Sequence, residues 1–257
     1  MTSANHPAIL EATRVELCRI AEEAGLLDTD VSVLAKPLTP EEAIGTPGRR
    51  DYPILLGKER VVEAVVLGSK GHAFTDSARE LRGTVREVLQ LELRSNFDRA
   101  IFVATANAML RHLGKASGTV HCKDDDPERC AQEIADHILA HHGRVTVGLI
   151  GLNPAIAEGL VEVFGAPSLR IADLNPDNIG TERFGVEIWH GRDRADELID
   201  DADVVVFTGT TLVNDTFDGL RARLEAANKP YLVFGVTAAG VCALSDIARI
   251  CPYGRDD

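Results

Sequence analysis

The sequence predicts an α/β protein in two parts, an α+β part over residues 1–143 followed by a doubly wound parallel-sheet part over residues 144–257. Three observations carry this prediction. Short apolar runs at 61–67 and 72–74, punctuated by Gly68 and Gly71, suit a small antiparallel meander. From Arg144 onward, strand-like and helix-like patterns alternate, which is the grammar of repeated βαβ units. The run Val204, Val205, Val206, Phe207 is continuous and β-branched rather than alternating, as expected of a strand covered on both faces.

The elements follow in order. Leu10, Leu17, Ala21 and Ala24 share one face of an opening helix, with Pro7 at its first position and Gly25 at its end. A short strand is expected at 31–34, and the prolines and glycines up to residue 50 predict irregular chain. Strands at 54–56, 61–67 and 72–74 form the meander, with Gly57-Lys58 as the first turn between them. Helices are expected at 81–91 and 98–113, then a strand at 119–122, then a helix from Asp126-Pro127 to His142. The second part reads strand 145–150, helix 154–164, strands 169–172 and 186–189, helix 195–199, strand 204–207, helix around Leu220 and Leu224, and strand 231–234. The boundary falls at Gly143.

Composition narrows the partners. The net charge of −13 argues against nucleic acid or an anionic membrane surface as the main partner, so a small ligand is expected. No run approaches the roughly 20 apolar residues of a membrane span, and no basic-then-apolar signal opens the chain. The 5 cysteines are odd in number and lack a CxxC pair, which predicts free thiols in a reducing, cytoplasmic setting. Nothing in the sequence sets the oligomeric state.

In a doubly wound sheet, ligands bind outside the carboxyl ends of the strands. The groups placed there are Gly151 to Asn153, Asp173, His190, and the turn that contains Thr208, Gly209, Thr210, Thr211 and Asn214. A strand running into a Gly/Thr turn directs N–H groups and hydroxyls at one spot. The string GLIGLNP at 148–154, with Asp173 closing the next strand, resembles a dinucleotide fingerprint but puts Pro154 and Ala155 where later glycines are needed. In the first part, Asp76 ends the string GHAFTD, and Asn107 is a polar residue among small neighbours that needs a partner if buried. The string HCKDDDPERC at 121–130 offers imidazole, thiol and carboxylate together, with His121, Cys122, Lys123 and Asp124 at its head. Its spacing is weaker than paired CxxC motifs, and the same residues suit an ordinary helix start. Cys122 is the metal candidate, and adjacent residues on a strand would keep His121 off the same ion. His137 and His141 stand one helical turn apart, a spacing equally suited to a helix C-terminus.

The strings YPILLGKE (52–59), GHAFTD (71–76), ATANAMLRHLG (104–114), TVHCKDDDPERCA (119–131) and TGTTLVN (208–214) together resemble the heavy-metal chelation family, a former domain of unknown function. The resemblance spans most of the chain, and the HCK and TGTTLVN strings are its most specific parts. It implies an N-terminal domain like that of enolase, a Rossmann-like C-terminal domain, and an active site in the cleft between them. Where many such sequences carry Gly-Pro-Ser after the last main strand, this one has Gly235-Val236-Thr237.

Three functions are compatible with these residues. The first is a chelation protein that binds a divalent transition metal or small polar ligand in the cleft, with Asp173, His121 and Cys122 as the groups able to exchange protons or hold a cation. The second is a nucleotide- or S-adenosylmethionine-dependent enzyme with Asp173 on a ribose. The third is a metal carrier or sensor without turnover.

Overall fold

The computed structural model describes residues 8–34, 38–56, 59–77 and 79–257. Pro7, Pro37 and the Gly57-Lys58 turn, all given roles above, lie outside the described residues.

Helix α1 (Ile9–Glu23) leads into strand β1 (Asp30–Leu34) and the short helix α2 (Pro40–Ile44). Strands β2 (Arg60–Val66), β3 (Ser69–Thr75) and β4 (Leu81–Thr84) follow, then helices α3 (Val85–Leu89), α4 (Asn96–His112) and α5 (Asp126–His142). The remainder alternates: β5 (Val147–Ile150), α6 (Pro154–Phe164), β6 (Leu169–Asp173), β7 (Glu182–Arg183), β8 (Val186–His190), α7 (Ala195–Asp201) and β9 (Val204–Thr208). Helix α8 (Phe217–Ala226), β10 (Tyr231–Phe234), α9 (Ala239–Ala243) and β11 (Arg249–Ile250) complete it.

The first 4 strands form an antiparallel sheet in the order β3-β2-β1-β4, and the other 7 form a second sheet in the order β11-β10-β9-β5-β6-β8-β7. All pairings in the second sheet are parallel except that of β7 with β8. The mixed α/β class and the doubly wound parallel sheet are as the sequence predicts. From β5 the chain steps outward through β6 to β8, then returns to β9 on the other side of β5. The connections leaving β5 and β9 therefore diverge to opposite faces, which opens a crevice at their carboxyl ends.

Helix α4 joins the two sheets. Every residue from Arg99 to Leu110 is buried, so it has no solvent face, as a helix enclosed by protein requires. One side packs on β2 and β3 and the other on α9. The approach to β3 is so close that a Cβ on Gly71 would fall 2.3 Å from the Ala104 carbonyl oxygen. Helix α5 lies against α6, and its residues Ala131, Ile134, Ala135 and Ile138 join the core beneath the parallel sheet.

Four local expectations are corrected. The helix expected at 81–91 is a strand followed by a single short helix, because 81–84 completes the antiparallel sheet against β1 and the Thr84/Glu87 capping box starts α3 only afterwards. Residues 54–56 form a turn instead of a strand: the Leu55 and Leu56 N–H groups bond back to the Tyr52 carbonyl at 2.9 and 3.2 Å. The segment 119–122 makes only a bridge, Val120 with Arg255, since its other groups are taken by His72. Within the region expected to be irregular, α2 forms because Thr39 and Glu42 make a reciprocal capping box with Pro40 in the first turn.

Candidate functional site

The crevice between the ends of β5 and β9 opens into a cleft of about 610 Å³, within the range of ordinary small-ligand sites. A smaller chamber of about 120 Å³ adjoins it and shares Pro53, Glu59, Gly151, Leu152, Asp173, Thr208 and Thr210 with it. Strand ends of the parallel sheet supply one wall. Pro53, Glu59 and the end of β3 supply the other.

The β5 end turns through Gly151, whose φ is +88°, a conformation that side chains rarely adopt. A Cβ there would stand 2.4 Å from the Thr208 Cγ2 atom, so the absence of a side chain keeps the crevice open. Asn153 caps α6 by accepting from the Ala155 and Ile156 N–H groups at 3.1 and 3.2 Å. Across the crevice the Thr208 hydroxyl oxygen accepts from the Thr210 N–H at 3.3 Å, and the Thr211 hydroxyl donates to the Thr208 carbonyl at 2.7 Å. Asn214 accepts from the Thr216 hydroxyl at 2.7 Å. These bonds hold the Thr/Gly turn as a short 3₁₀ segment over Gly209–Leu212.

Asp173, the last residue of β6, sits between the chambers. Its two carboxylate oxygens accept from the Leu152 and Asn175 N–H groups, each at 2.6 Å. Glu59 lies nearby without a hydrogen-bond or ion-pair partner among the described residues. Burial first, and the Asp173 charge second, push its carboxyl up to about 7. It is thus a carboxyl able to hold or release a proton near neutral pH.

His121 lines the smaller chamber edge-on to Phe74, with ring centroids 5.1 Å apart. Its Nδ1–H donates to the Cys122 carbonyl at 2.6 Å, which leaves Nε2 as an unprotonated acceptor. Burial, opposed by that bond, pushes its pKa down to about 4, so the ring is neutral at physiological pH. The His121 N–H is received by Nδ1 of the buried His72, whose Nε2–H donates to Glu63 at 2.9 Å.

Of the residues expected at the site, Asp76, Gly151, Asp173, Thr208, Thr210, Thr211 and Asn214 line the larger cleft, and His121 and Asn153 the smaller chamber. Asn107, Cys122, Lys123, Asp124 and Gly209 line neither. Gly209 is buried against Ala238, where a Cβ would meet the backbone nitrogen at 2.8 Å. Asp124 is exposed and accepts from the Thr46 N–H at 2.9 Å, tying its loop to the α2 terminus. Lys123 bonds within its own loop, its N–H reaching Asp126 at 3.5 Å. Cys122 is buried, and burial, with Cys130 and Cys251 adding to it, holds its thiol well above the ordinary range, which disfavours the thiolate a metal needs. His137 and His141 stack on α5 with centroids 4.0 Å apart and line neither chamber.

Two further residues matter that the sequence reading did not single out. Glu59 is a lone acid before a buried strand, and its only signal is its place at the end of YPILLGKE. Arg99 is buried and forks to the Val213 and Leu93 carbonyls at 2.6 and 2.7 Å and to the Asn96 amide oxygen at 2.8 Å, so α4 holds the end of the Thr/Gly turn.

Among the described residues there is no group of three or more His, Cys, Asp or Glu side chains placed to hold a metal ion. No helix among the described residues is long and apolar enough to cross a membrane.

An open α/β sheet with a crevice at its switch point defines the class of protein. Residues 133–245 match the model of the DUF364 family, described as "Putative heavy-metal chelation". A solved DUF364 protein of unknown function from Pyrococcus horikoshii is similar in fold, with a TM-score of 0.50 at 15% identity over 90% of this chain and 80% of that one. Another DUF364 protein of unknown function, from Desulfitobacterium hafniense, gives 0.45 at 15% identity over 72% of this chain and 71% of that one. No curated protein matches the sequence.

Proposed function

We propose that the chain binds a small polar ligand in the cleft at the β5/β9 crevice, and that a metal enters as part of that ligand rather than as a bare ion. The observation that carries this reading is a 610 Å³ cleft bordered by Asp76, Asp173 and Glu59, alongside donors that do not converge as a metal centre. A chelate brings its own coordinating atoms and needs from the protein only shape, hydrogen bonds and opposite charge. The description of the matching family supports a metal as cargo. The reading treats residues 1–143 and 144–257 as two lobes around the cleft, with Asp173, Thr208, Thr210, Thr211 and Asn214 on one side and Asp76 and Glu59 on the other. Glu59 and neutral His121 are the groups fit to take or give a ligand proton. A nucleoside is less well served, since Asp173, the acid it would use, already accepts two backbone N–H groups.

Equilibrium dialysis at pH 7.5 with zinc alone and with zinc complexes of glycine, ethylenediamine and 2-aminomethylpyridine tests this. At least one complex is expected to be retained at least tenfold better than zinc alone, with Cys122→Ser unchanged. Retention of bare zinc equal to every complex, or its loss in Cys122→Ser, would overturn the reading.

A further inference from the structure

The smaller chamber is the more apolar of the two spaces. Ile54, Phe74, Pro127, Phe234, Val236 and the neutral ring of His121 line it beside Tyr52, Asn153 and Thr237, whereas the larger cleft carries more hydroxyls, amides and carboxylates. Its volume of about 120 Å³ is somewhat below the roughly 150 Å³ cavity that admits one benzene molecule. A volume of that order suits one five- or six-membered ring rather than a bicyclic purine.

The two spaces meet at Glu59 and Asp173, which border both. Asp173 is engaged by two backbone N–H groups, but Glu59 has no partner among the described residues. A half-buried carboxyl beside another acid is a costly arrangement unless a positive group offsets it. We infer that the ligand is a one-ring organic cation: an apolar or heteroaromatic ring in the smaller chamber, a protonated nitrogen or metal-bearing group between Glu59 and Asp173, and a polar remainder in the larger cleft. This inference rests on the cleft being the binding site, and it names the class of ligand.

The other charged and titratable groups bordering the two spaces are Asp173 at the end of β6, Asp76 after β3, Tyr52 in the turn before β2, His121 before α5, His190 at the end of β8 and Arg192 after it. Neutral His121 adds no positive charge to the smaller chamber, and Arg192 borders only the larger cleft. Glu59, at about 7, is largely protonated in the free protein at pH 6 and ionised at pH 8. A cation that stays protonated across that interval binds the ionised form, so its affinity rises with pH, by up to about tenfold for a single group titrating at the midpoint.

Calorimetric titration with benzylamine, benzoate and adenosine at pH 6 and pH 8 tests this. Benzylamine is expected to bind, more tightly at pH 8, while benzoate and adenosine bind at least tenfold more weakly. Glu59→Gln, which keeps the shape and removes the charge, should lower benzylamine affinity at least tenfold at pH 8 and abolish the pH dependence. Phe74→Trp, which narrows the chamber and leaves Glu59 in place, should lower affinity at both pH values. Equal binding of benzoate, tighter binding of adenosine, or benzylamine affinity unmoved by both substitutions would overturn the inference. None of those results touches retention of the zinc complexes of glycine or ethylenediamine, whose ligands carry no aromatic ring and which report on the cleft alone.

Discussion

Replacing Gly151 by alanine is expected to lower retention of any cleft ligand at least tenfold. The added Cβ would lie 2.4 Å from Thr208 Cγ2, so either the β5 turn or the Thr/Gly turn must move. Both border the two chambers, and any displacement narrows the passage between them. The backbone strain of a side chain at φ +88° costs about 1–2 kcal/mol of stability, which leaves the fold intact. Dialysis against the zinc complexes measures the binding loss and urea unfolding the stability. A variant that binds like the parent would remove the crevice from the site.

Asn107→Ala is expected to cost about 4–6 kcal/mol in unfolding free energy. Asn107 is fully buried on α4, its Nδ2 donating to the His72 and Val236 carbonyls at 2.9 and 3.1 Å and its Oδ1 accepting from the Gly240 N–H at 2.6 Å. One side chain thus ties β3, the segment after β10 and the start of α9. Truncation removes three bonds worth about 1 kcal/mol each and strands a buried N–H, which costs a further 1–3 kcal/mol. Urea unfolding checks the figure, and a loss below about 1 kcal/mol would mean that water replaces the amide in that space.

The same residue indicates what could be read from the chain. A lone asparagine among Ala104, Ala106 and Ala108 signals a buried polar group, but only the fold reveals that its partners lie on β3 and on the segment and helix that follow β10. The parallel strands were legible because burial on both faces writes continuous apolar runs such as 204–207. The strand ends then followed from topology, which is why Gly151, Asp173 and the Thr/Gly turn were found together. The 119–122 segment misled because Val120 and Cys122 look like a strand's inward face, whereas the buried His72 and the distant Arg255 take its bonds. Long-range partners leave no local pattern. Glu59 left no signal for a similar reason: a single acid is ordinary in sequence and unusual only when buried beside Asp173 in a cleft.

Amide spectra of the ¹⁵N-labelled protein, recorded while the 2-aminomethylpyridine complex of zinc is added, test the central claim most directly. The account predicts shifts centred on Glu59, Gly151, Asp173 and the turn from Thr208 to Asn214, and their loss in Gly151→Ala. Shifts confined to Cys122 and Cys130, or to His137 and His141, would place the metal outside the cleft and contradict it.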